Sequence, residues 1–498
     1  MNLKNILKGL RTRTKYFDFL AILCLSTIGL TLRIWGIKTN HSFWSDEADM
    51  ATIARDLVQN KLSGLDLFHT LGALYQPLHV FVLSISFQIF GISEFAARFP
   101  TVIFGTVGIP LVYLVTKRFA NRNAALISTF IYTFSELQLA HATQAKPYAA
   151  ITTLTLLLIF LLQKIDLKNK KSLKETGLCH AACMIVIVTA TLFQIYGLLL
   201  GVIYIGYLMY SHGNTLLSKK YRVFAVIAIF IFATIGTSIN VKLGFFNPSN
   251  FHFVNNFTYF REFFAHQYLF LSISSLFGIV IAARKNRGVT MGILSWVGVL
   301  LFFWLFVHYS RNIRYILPIV TALQIFFGVF WAEIIRFLFP KKETLVAILF
   351  IGILFVGWDK VVRKPSVYYS PNADIFSDVQ NADYRSAYDF IVKKYPQYSS
   401  FSIYNDVNGA QGYYLDGKSP DRYFTKGGEN QTVAQLQQFM KEDQKGLIIV
   451  EDWESILPED IKQYAKKNLK LEYRVENLGV SPTDKWPIEI YSWGMEEK

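Results

Sequence analysis

The chain has 498 residues, of which 52% are hydrophobic and 16% aromatic, and its formal net charge is +15. This composition excludes an ordinary soluble domain, and the long apolar blocks are typical of a polytopic membrane protein. The Lys and Arg residues lie mostly in short clusters between those blocks. There they orient the chain and contact anionic lipid head groups, so the positive charge does not indicate nucleic-acid binding.

The first apolar block, residues 17–36, is too long for the core of a signal peptide, and we predict that it is an uncleaved anchor. Five basic residues precede it, namely Lys4, Lys8, Arg11, Arg13 and Lys15. By the positive-inside rule these residues place the N-terminus in the cytoplasm. The following loop, residues 37–97, is then predicted to lie on the outer side of the membrane.

This outer loop begins with an acidic stretch in which Asp46, Glu47 and Asp49 fall within four residues. A helix is predicted there, with Ser45 or Asp46 as its N-cap. Its apolar stripe consists of Met50, Ile53, Ala54, Leu57 and Val58. Helical spacing puts Asp46 near the centre of the stripe and turns Arg55 away from it. A carboxylate on an apolar face is costly to desolvate and needs a partner or a chemical role. The alternative is an interfacial helix with a cap and solvated acids.

The next apolar run, residues 78–91, is shorter than the ~20 residues that a spanning helix needs. If this run crossed the membrane, every later basic cluster would lie on the outer side, so we predict that it lies flat in the outer interface. Ten further spans are predicted at residues 98–117, 124–140, 148–163, 177–193, 197–211, 222–241, 267–283, 290–308, 315–337 and 344–360. With the first block they make about 11 transmembrane helices and place the C-terminus outside.

The composition changes after residue 365, where charged and turn residues become frequent and the apolar runs shorten. Three amphipathic helices are predicted at residues 383–395, 432–441 and 458–467. Four strands are predicted at residues 401–404, 446–451, 471–475 and 488–493. We therefore predict two domains, a membrane domain over residues 1–365 and a small α/β domain over residues 366–498 on the outer face. The expected role of the second is to cover the site and to help select the acceptor.

Polar residues collect in the outer loops of this topology. The candidate substrate-binding residues among them are Asp49, Tyr75, Gln76, His79, Arg98, Gln144, Tyr148 and Tyr315. Lys146, Arg311 and Arg314 break the positive-inside rule on the same side as the acidic helix. Cations at head-group depth suit a phosphate group, and Arg offers two parallel donors to it. The alternative for a lone Arg at a helix end is snorkelling to the interface.

Four blocks in this order carry a resemblance, namely WSDEADMA, YQPLHVFVLSISFQIFGISEFAARFPTVIFG, HATQAKPYAA and RYILPI. Residues 15–340 resemble the polytopic glycosyltransferases of the C-type (GT-C) fold, in the branch with the protein O-mannosyltransferases and the aminoarabinose transferase acting on lipid A. This resemblance implies sugar transfer from a polyprenyl-monophosphate carrier on the outer face. The family's acidic pair falls on Asp46 and Glu47, and Asp46 stands at the position of the family's base. Its basic loop position falls on Lys146, although Ala145 replaces an acid common just before it.

The residue types fit this chemistry. Asp46 can accept the proton of an acceptor hydroxyl with Glu47 as an accessory, and the cations at 146, 311 and 314 can receive the charge of the departing phosphate. We expect that no metal is required, although the neighbouring acids could hold a divalent ion. The expected protein is an inverting glycosyltransferase of a bacterial or archaeal plasma membrane, with lipids but no nucleic acid as partners. The alternative is a flippase that moves lipid-linked sugars without chemistry.

Overall fold

The computed structural model of the chain describes residues 3–38, 42–61, 76–168, 173–216, 256–307, 313–363, 383–404, 410–415, 423–424, 432–451, 457–476 and 487–495. Up to residue 363 these residues form helices. The helices are α1 (Leu3–Ile34), α2 (Ser45–Val58), α3 (Pro77–Phe90), α4 (Glu94–Phe119), α5 (Arg122–Phe134), α6 (Glu136–Ala142), α7 (Tyr148–Lys168), α8 (Leu173–Phe193), α9 (Leu200–Leu216), α10 (Phe257–Arg261), α11 (Leu269–Lys285), α12 (Arg287–Phe302), α13 (Leu317–Leu338) and α14 (Glu343–Gly357). Short 3₁₀ turns precede α9 (Ile195–Leu199) and α13 (Ile313–Ile316).

Five helical segments of the described chain are long and apolar enough to cross a membrane, and a sixth span is possible if a bent helix pair counts as one. The five are Tyr16–Ile34, Glu94–Phe119, Tyr148–Ile165, Arg287–Phe306 and Ile313–Leu338, and the pair is Phe257–Gln267 with Leu269–Lys285, bent by 89°. Shorter apolar helices stand at three more predicted spans, at Gly177–Phe193, Ile195–Ser211 and Glu343–Gly357. The predicted span 222–241 lies outside the described residues, so the count of eleven stays a prediction. The chain is an integral membrane protein.

The predicted span 124–140 is broken in the structure at Ser135, which is extended between α5 and α6. Residues just after α14 fill the break, because the Val362 N–H donates to the Phe134 carbonyl oxygen at 2.8 Å. A backbone break inside a membrane protein must have its polar groups satisfied by other parts of the chain, and this pairing does so. The short helix α6 then leads directly into the loop that carries Lys146.

Small residues let the helices of the membrane part approach closely. A Cβ atom at Gly278 on α11 would lie 1.9 Å from the Phe326 carbonyl oxygen of α13, so only glycine fits this contact. The same holds at Gly328 on α13, where a Cβ would lie 2.7 Å from the Ala124 carbonyl oxygen of α5. Close backbone approach at small residues is how helices pack in lipid. Helix α13 is thereby fixed from two sides, and its N-terminal turn carries Arg314.

From residue 383 onward, the described residues form helices around a five-stranded sheet. The helices are α15 (Tyr384–Lys394), α16 (Ala410–Tyr414), α17 (Val433–Glu442) and α18 (Glu459–Asn468), and the strands are β1 (Ser402–Tyr404), β2 (Tyr423–Phe424), β3 (Gly446–Glu451), β4 (Lys470–Val475) and β5 (Ile488–Trp493). The strand order is β2-β1-β3-β5-β4, with β1 parallel to β2 and β3 and the pairs β3/β5 and β5/β4 antiparallel. Four of these strands stand where the sequence predicts strands.

The two faces of this sheet pack against different helices. One face packs against α17 and α18 through Ile448, Leu436 and Ile461. The other face packs against α15 through Ile449 and Tyr388, and the same apolar cluster continues into α2 and α3 of the membrane part. Burial of apolar surface stabilises such a contact by roughly 25 cal/mol per Å². The C-terminal α/β fold and the acidic helix α2 therefore share one core.

Candidate active site

The acidic helix α2 begins one residue earlier than the caps predicted from the sequence. Trp44 occupies the N-cap position without a side-chain cap, and Ser45 and Asp46 are the first two helical residues. The predicted apolar stripe does pack into the shared core, but Arg55, which was predicted to point away, is buried at 1% exposure, as is Glu47 at 0%. Asp46 keeps 39% of its side chain accessible. The buried charges have partners elsewhere in the chain, and these partners offset the cost of burying them beside the apolar stripe.

Two cations converge on the Asp46 carboxylate. Lys146 Nζ lies 3.2 Å and Arg314 Nη1 lies 3.6 Å from the same oxygen, Oδ2. Burial alone would raise the pKa of Asp46, but the positive charges of Lys146 and Arg314 outweigh it and hold the pKa below its ordinary value. Burial lowers the pKa of Lys146, and this effect is larger than the opposite effect of the neighbouring Asp46 charge. Asp46 is therefore an ionised, partly accessible carboxylate.

Aromatic rings enclose the two cations. The Arg314 guanidinium lies 4.9 Å and Lys146 Nζ 5.7 Å from the centroid of the Trp44 ring, within the range of cation–π attraction. Arg314 also lies 5.8 Å from the Tyr148 ring and 5.2 Å from the Tyr315 ring. Trp304 stacks on Tyr315 with 4.3 Å between centroids. These contacts fix the direction in which the guanidinium points.

The loop before Lys146 is held at both backbone polar groups of one residue, Ala145. The Ala145 N–H donates to Glu47 Oε1 at 2.6 Å, and the Ala145 carbonyl oxygen lies 2.9 Å from His79 Nε2. Burial lowers the pKa of His79 to about 4, so its ring is neutral at pH 7 and Nε2 carries the donating proton. Pro147 follows Lys146 and disfavours helix at Lys146, which keeps the loop in this shape. Glu47 and His79 therefore position Lys146.

Arg98 was predicted to bind substrate, and its location contradicts that role. Its side chain is fully buried and donates to Glu47 at 3.1 and 3.2 Å, to Glu94 at 3.2 Å and to the Ile37 carbonyl oxygen at 3.0 Å. A buried guanidinium in this bidentate geometry orients its carboxylates and is not accessible to a ligand. Arg98 and Glu47 thus form a fully buried ion pair, and the accessory role of Glu47 stays a prediction.

The other predicted residues lie at different distances from this centre. Asp49 is exposed on α2, and Gln76, Gln144 and Tyr148 are buried. Tyr315 lies against Arg314, while Tyr75 and Arg311 are outside the described residues. Trp44 and Trp304 also line the centre and were not among the predicted residues. Trp44 could have been found, since it stands two residues before Asp46, whereas Trp304 lies in an apolar run that gives no signal.

The sequence did not decide whether the neighbouring acids hold a metal ion. In the described parts of the chain, no three His, Cys, Asp or Glu side chains are grouped so that they could hold a metal ion. The chemistry of the centre is that of one carboxylate and two cations. Such a group can bind an oxyanion and keep an ionised acid beside it.

Comparison with protein families gives a match to part of the chain. Residues 75–237 match the family described as dolichyl-phosphate-mannose-protein mannosyltransferase. A search of curated protein sequences gave no match.

Comparison with solved structures extends the likeness to nearly the whole chain. ArnT from Cupriavidus metallidurans in the apo state is 13% identical, with a TM-score of 0.57 over 97% of this chain and 98% of that one. The structure of the same protein bound to undecaprenyl phosphate is also 13% identical, with a TM-score of 0.57 over 97% of this chain and 98% of that one. The apo oligosaccharyltransferase from Archaeoglobus fulgidus is 10% identical, with a TM-score of 0.56 over 88% of this chain and 70% of that one. The fold of the chain is therefore the GT-C fold that the sequence resemblance implied.

Proposed function

We propose that this GT-C protein is an inverting glycosyltransferase that moves a sugar from a polyprenyl-monophosphate donor to an acceptor hydroxyl on the outer membrane face. One observation carries the proposal, namely the Asp46 carboxylate between Lys146 and Arg314. Two cations against one carboxylate leave one net positive charge, which suits the single negative charge of a phosphodiester donor. The acceptor is a hydroxyl of a lipid, glycan or protein.

The reaction that this centre supports exchanges one bond for another. The acceptor oxygen forms a bond to the anomeric carbon while the bond from that carbon to the phosphate oxygen breaks, on the opposite face of the sugar. The acceptor proton passes to Asp46, and the leaving phosphate gains a negative charge. Lys146 and Arg314 face that growing charge in a poorly hydrated site, where fixed cations are most effective.

Donor binding and base strength are coupled in this arrangement. Without donor, both cations are directed at Asp46, which makes it a weak base because its pKa is lowered. A bound phosphate competes for the same two cations, and the carboxylate then loses part of the charge that stabilises its ionised form. Asp46 therefore becomes a stronger base when the donor is in place.

The known proteins support the type of carrier. The description of the matching family names dolichyl-phosphate-mannose, and ArnT has been solved with undecaprenyl phosphate bound. In both compounds the carrier is a long isoprenoid chain that ends in a single phosphate. We place the N-terminus in the cytoplasm and residues 366–498 on the outer face of a bacterial or archaeal plasma membrane, as the basic clusters predict.

The test is release of polyprenyl phosphate by the purified protein in lipid. Donors carrying mannose, glucose, galactose, N-acetylhexosamine or aminopentose are supplied with lipid, glycan and peptide acceptors, and the product's anomeric configuration is determined. Mass spectrometry of co-purified lipid identifies the native donor. Absence of release with all these donors, together with movement of the intact donor across a vesicle bilayer, would favour a flippase instead.

A further inference from the structure

A chain of buried charges connects the C-terminal α/β fold to the candidate active site. Arg385 on α15 donates from Nε to Glu94 Oε1 at 2.8 Å, and its Nη2 donates to Glu94 Oε2. Glu94 also accepts from Arg98, which in turn holds Glu47. Glu47 accepts the N–H of the residue before Lys146. Each link is a charge-assisted hydrogen bond, or a pair of them, and these are the strong ones.

A second connection runs through α16. The Tyr414 hydroxyl donates to Glu94 Oε1 at 2.6 Å and accepts from the Phe43 N–H at 2.7 Å. Phe43 is in edge-to-face contact with Tyr413 at 4.8 Å between centroids. Phe43 directly precedes Trp44, the ring beneath the two cations. Segment 410–415 therefore holds the backbone that leads into α2.

A third connection lies on the buried face of α2. Arg55 Nη1 donates to the Gly412 and Tyr413 carbonyl oxygens at 2.9 and 3.1 Å. These carbonyls belong to α16, so the acidic helix is attached to the C-terminal fold at its start and near its end. The apolar cluster shared by α2, α3 and α15 fills the space between the two attachments.

Both parts of the chain contribute charges to the first connection. Glu47 and Glu94 face Arg98 and Arg385, and three of these four side chains are at most 7% exposed. Removing Arg385 takes one cation from this group and leaves Glu94 with Arg98 and the Tyr414 hydroxyl. Arg98 would then divide its donors differently between Glu47 and Glu94, and the peptide before Lys146 would move with Glu47.

We propose that Arg385 and Tyr414 are positioning residues for the transfer reaction, which set the places of Asp46 and Lys146 through Glu94, Arg98 and Glu47. The C-terminal fold is thus part of the active site's support, beyond the covering role expected for it. The inference rests on the proposed function only for its kinetic readout. A misplacement of reacting groups by about 1 Å can cost roughly 10²-fold in rate, so small shifts along this chain have measurable effects.

The test compares Arg385→Gln and Tyr414→Phe with the control Arg474→Gln in the full-length protein. Arg474 forms an ion pair with Glu489 inside the C-terminal sheet and is 47% exposed. We expect Arg385→Gln to lower kcat by about 10-fold or more and Tyr414→Phe by a smaller factor. Arg385→Lys should recover only part of the rate, since Lys keeps the charge but loses the two-pronged geometry. Arg474→Gln should keep parental kcat.

A second readout does not require any transferase activity. Hydrogen–deuterium exchange of the α2 amides, residues 45–58, should be faster in Arg385→Gln than in the parent by about 10-fold, and unchanged in Arg474→Gln. The double variant Arg385→Gln with Glu94→Gln should lose less rate than the two single variants predict together, because both remove one link.

Three outcomes are distinguishable. Parental kcat and parental exchange in Arg385→Gln would overturn the inference while leaving the proposed function intact. An inactive parent would contradict the proposed function, and the exchange measurement would still decide the inference. If Arg385→Gln fails to fold, Tyr414→Phe removes a single hydroxyl and its two hydrogen bonds, and parental exchange in that folded variant would overturn the second connection.

Discussion

At the residue scale, the Asp46 carboxylate is ion-paired with two cations and is 39% exposed. Replacing it with Asn keeps the shape of the side chain and removes the proton acceptor. We expect Asp46→Asn to lower turnover by about 10²-fold or more, while donor binding persists because Lys146 and Arg314 remain. Single-turnover rates and donor affinity measure the two effects. Asp359→Asn, at a carboxylate that is 78% exposed, is the matched control. Near-parental turnover in Asp46→Asn would contradict the assignment of Asp46 as the base.

The coupling between phosphate and base predicts a pH effect of definite sign. The two cations lower the pKa of Asp46 in the free protein, and a bound phosphate weakens that influence. Asp46 must be ionised to act, so activity falls on the acid side. The acid limb of kcat, which reports the donor complex, should lie at higher pH than that of kcat/KM, which reports the free protein. Coincident acid limbs would show that the phosphate does not draw the cations from Asp46.

Arg314 and Lys146 should act on donor binding as well as on rate. A charged donor to a phosphate oxygen contributes about 1.5–3 kcal/mol, so Arg314→Ala or Lys146→Ala should weaken donor binding by about 10- to 150-fold. Arg336→Ala is the control, since Arg336 lies on the same helix α13, near its other end, and is 57% exposed. Donor affinity is measured by titration in lipid nanodiscs. Equal small losses in all three variants would mean that these cations only anchor helices at the lipid surface.

The residue scale also shows why the sequence misplaced part of the site. Arg55 was expected to point away and to matter little, yet its partners Gly412 and Tyr413 are 357 and 358 residues away. Arg98 and Glu47 are 51 residues apart. Helical periodicity reports only apolar spacing along one element, so it turned Arg55 away from the stripe and gave no signal for the pairing of Arg98 with Glu47. Asp46, Lys146 and Arg314 were predicted as site residues because they breach rules about charge near a membrane, and the structure brings the three together.

At the scale of the elements, the site depends on helices that are held rigidly against each other. Helix α13 carries Arg314 and contacts α11 at Gly278, where a Cβ would meet the Phe326 carbonyl oxygen at 1.9 Å. Gly278→Ala should lower the free energy of unfolding by about 1–3 kcal/mol, because the two backbones must separate. Gly298→Ala on α12 is the control, since nothing lies within 4 Å of a Cβ there. Thermal unfolding in detergent measures both, and equal midpoints would contradict this packing.

Element types follow more readily from the sequence than element breaks do. Apolar length predicted the spans at 98–117 and 315–337, and short apolar runs among charged and turn residues predicted the strands β3 and β5. The break at Ser135 was not predicted, because it depends on pairing with residues after α14, more than 200 positions later. Breaks that are satisfied by distant backbone leave no local signal.

At the scale of the whole molecule, the placement of α3 decides which loops face outward. Its 14 residues are too few to span, and its exposed face carries Phe81, Ile85 and Ile89. If α3 lies in the interface, a cysteine at Asn121 should resist membrane-impermeant reagent in intact cells, and one at Ser370 should react. Both are introduced after Cys24, Cys179 and Cys183 are replaced by Ser. Labelling at 121 from outside would put Lys146 on the cytoplasmic side.

The bond between Arg385 and Glu94 joins residues 291 positions apart in the chain. A ribosome adding about 5–20 residues per second needs roughly 15–60 s to travel that distance. During this interval Glu94 and α2 have been synthesised, whereas Arg385 has not. The contacts of Arg385 and segment 410–415 with Glu94 and α2 can therefore form only after those later residues have been made. We expect a nascent chain halted before residue 383 to contain Asp46, Lys146 and Arg314 but to lack the contacts from the C-terminal fold that support their arrangement.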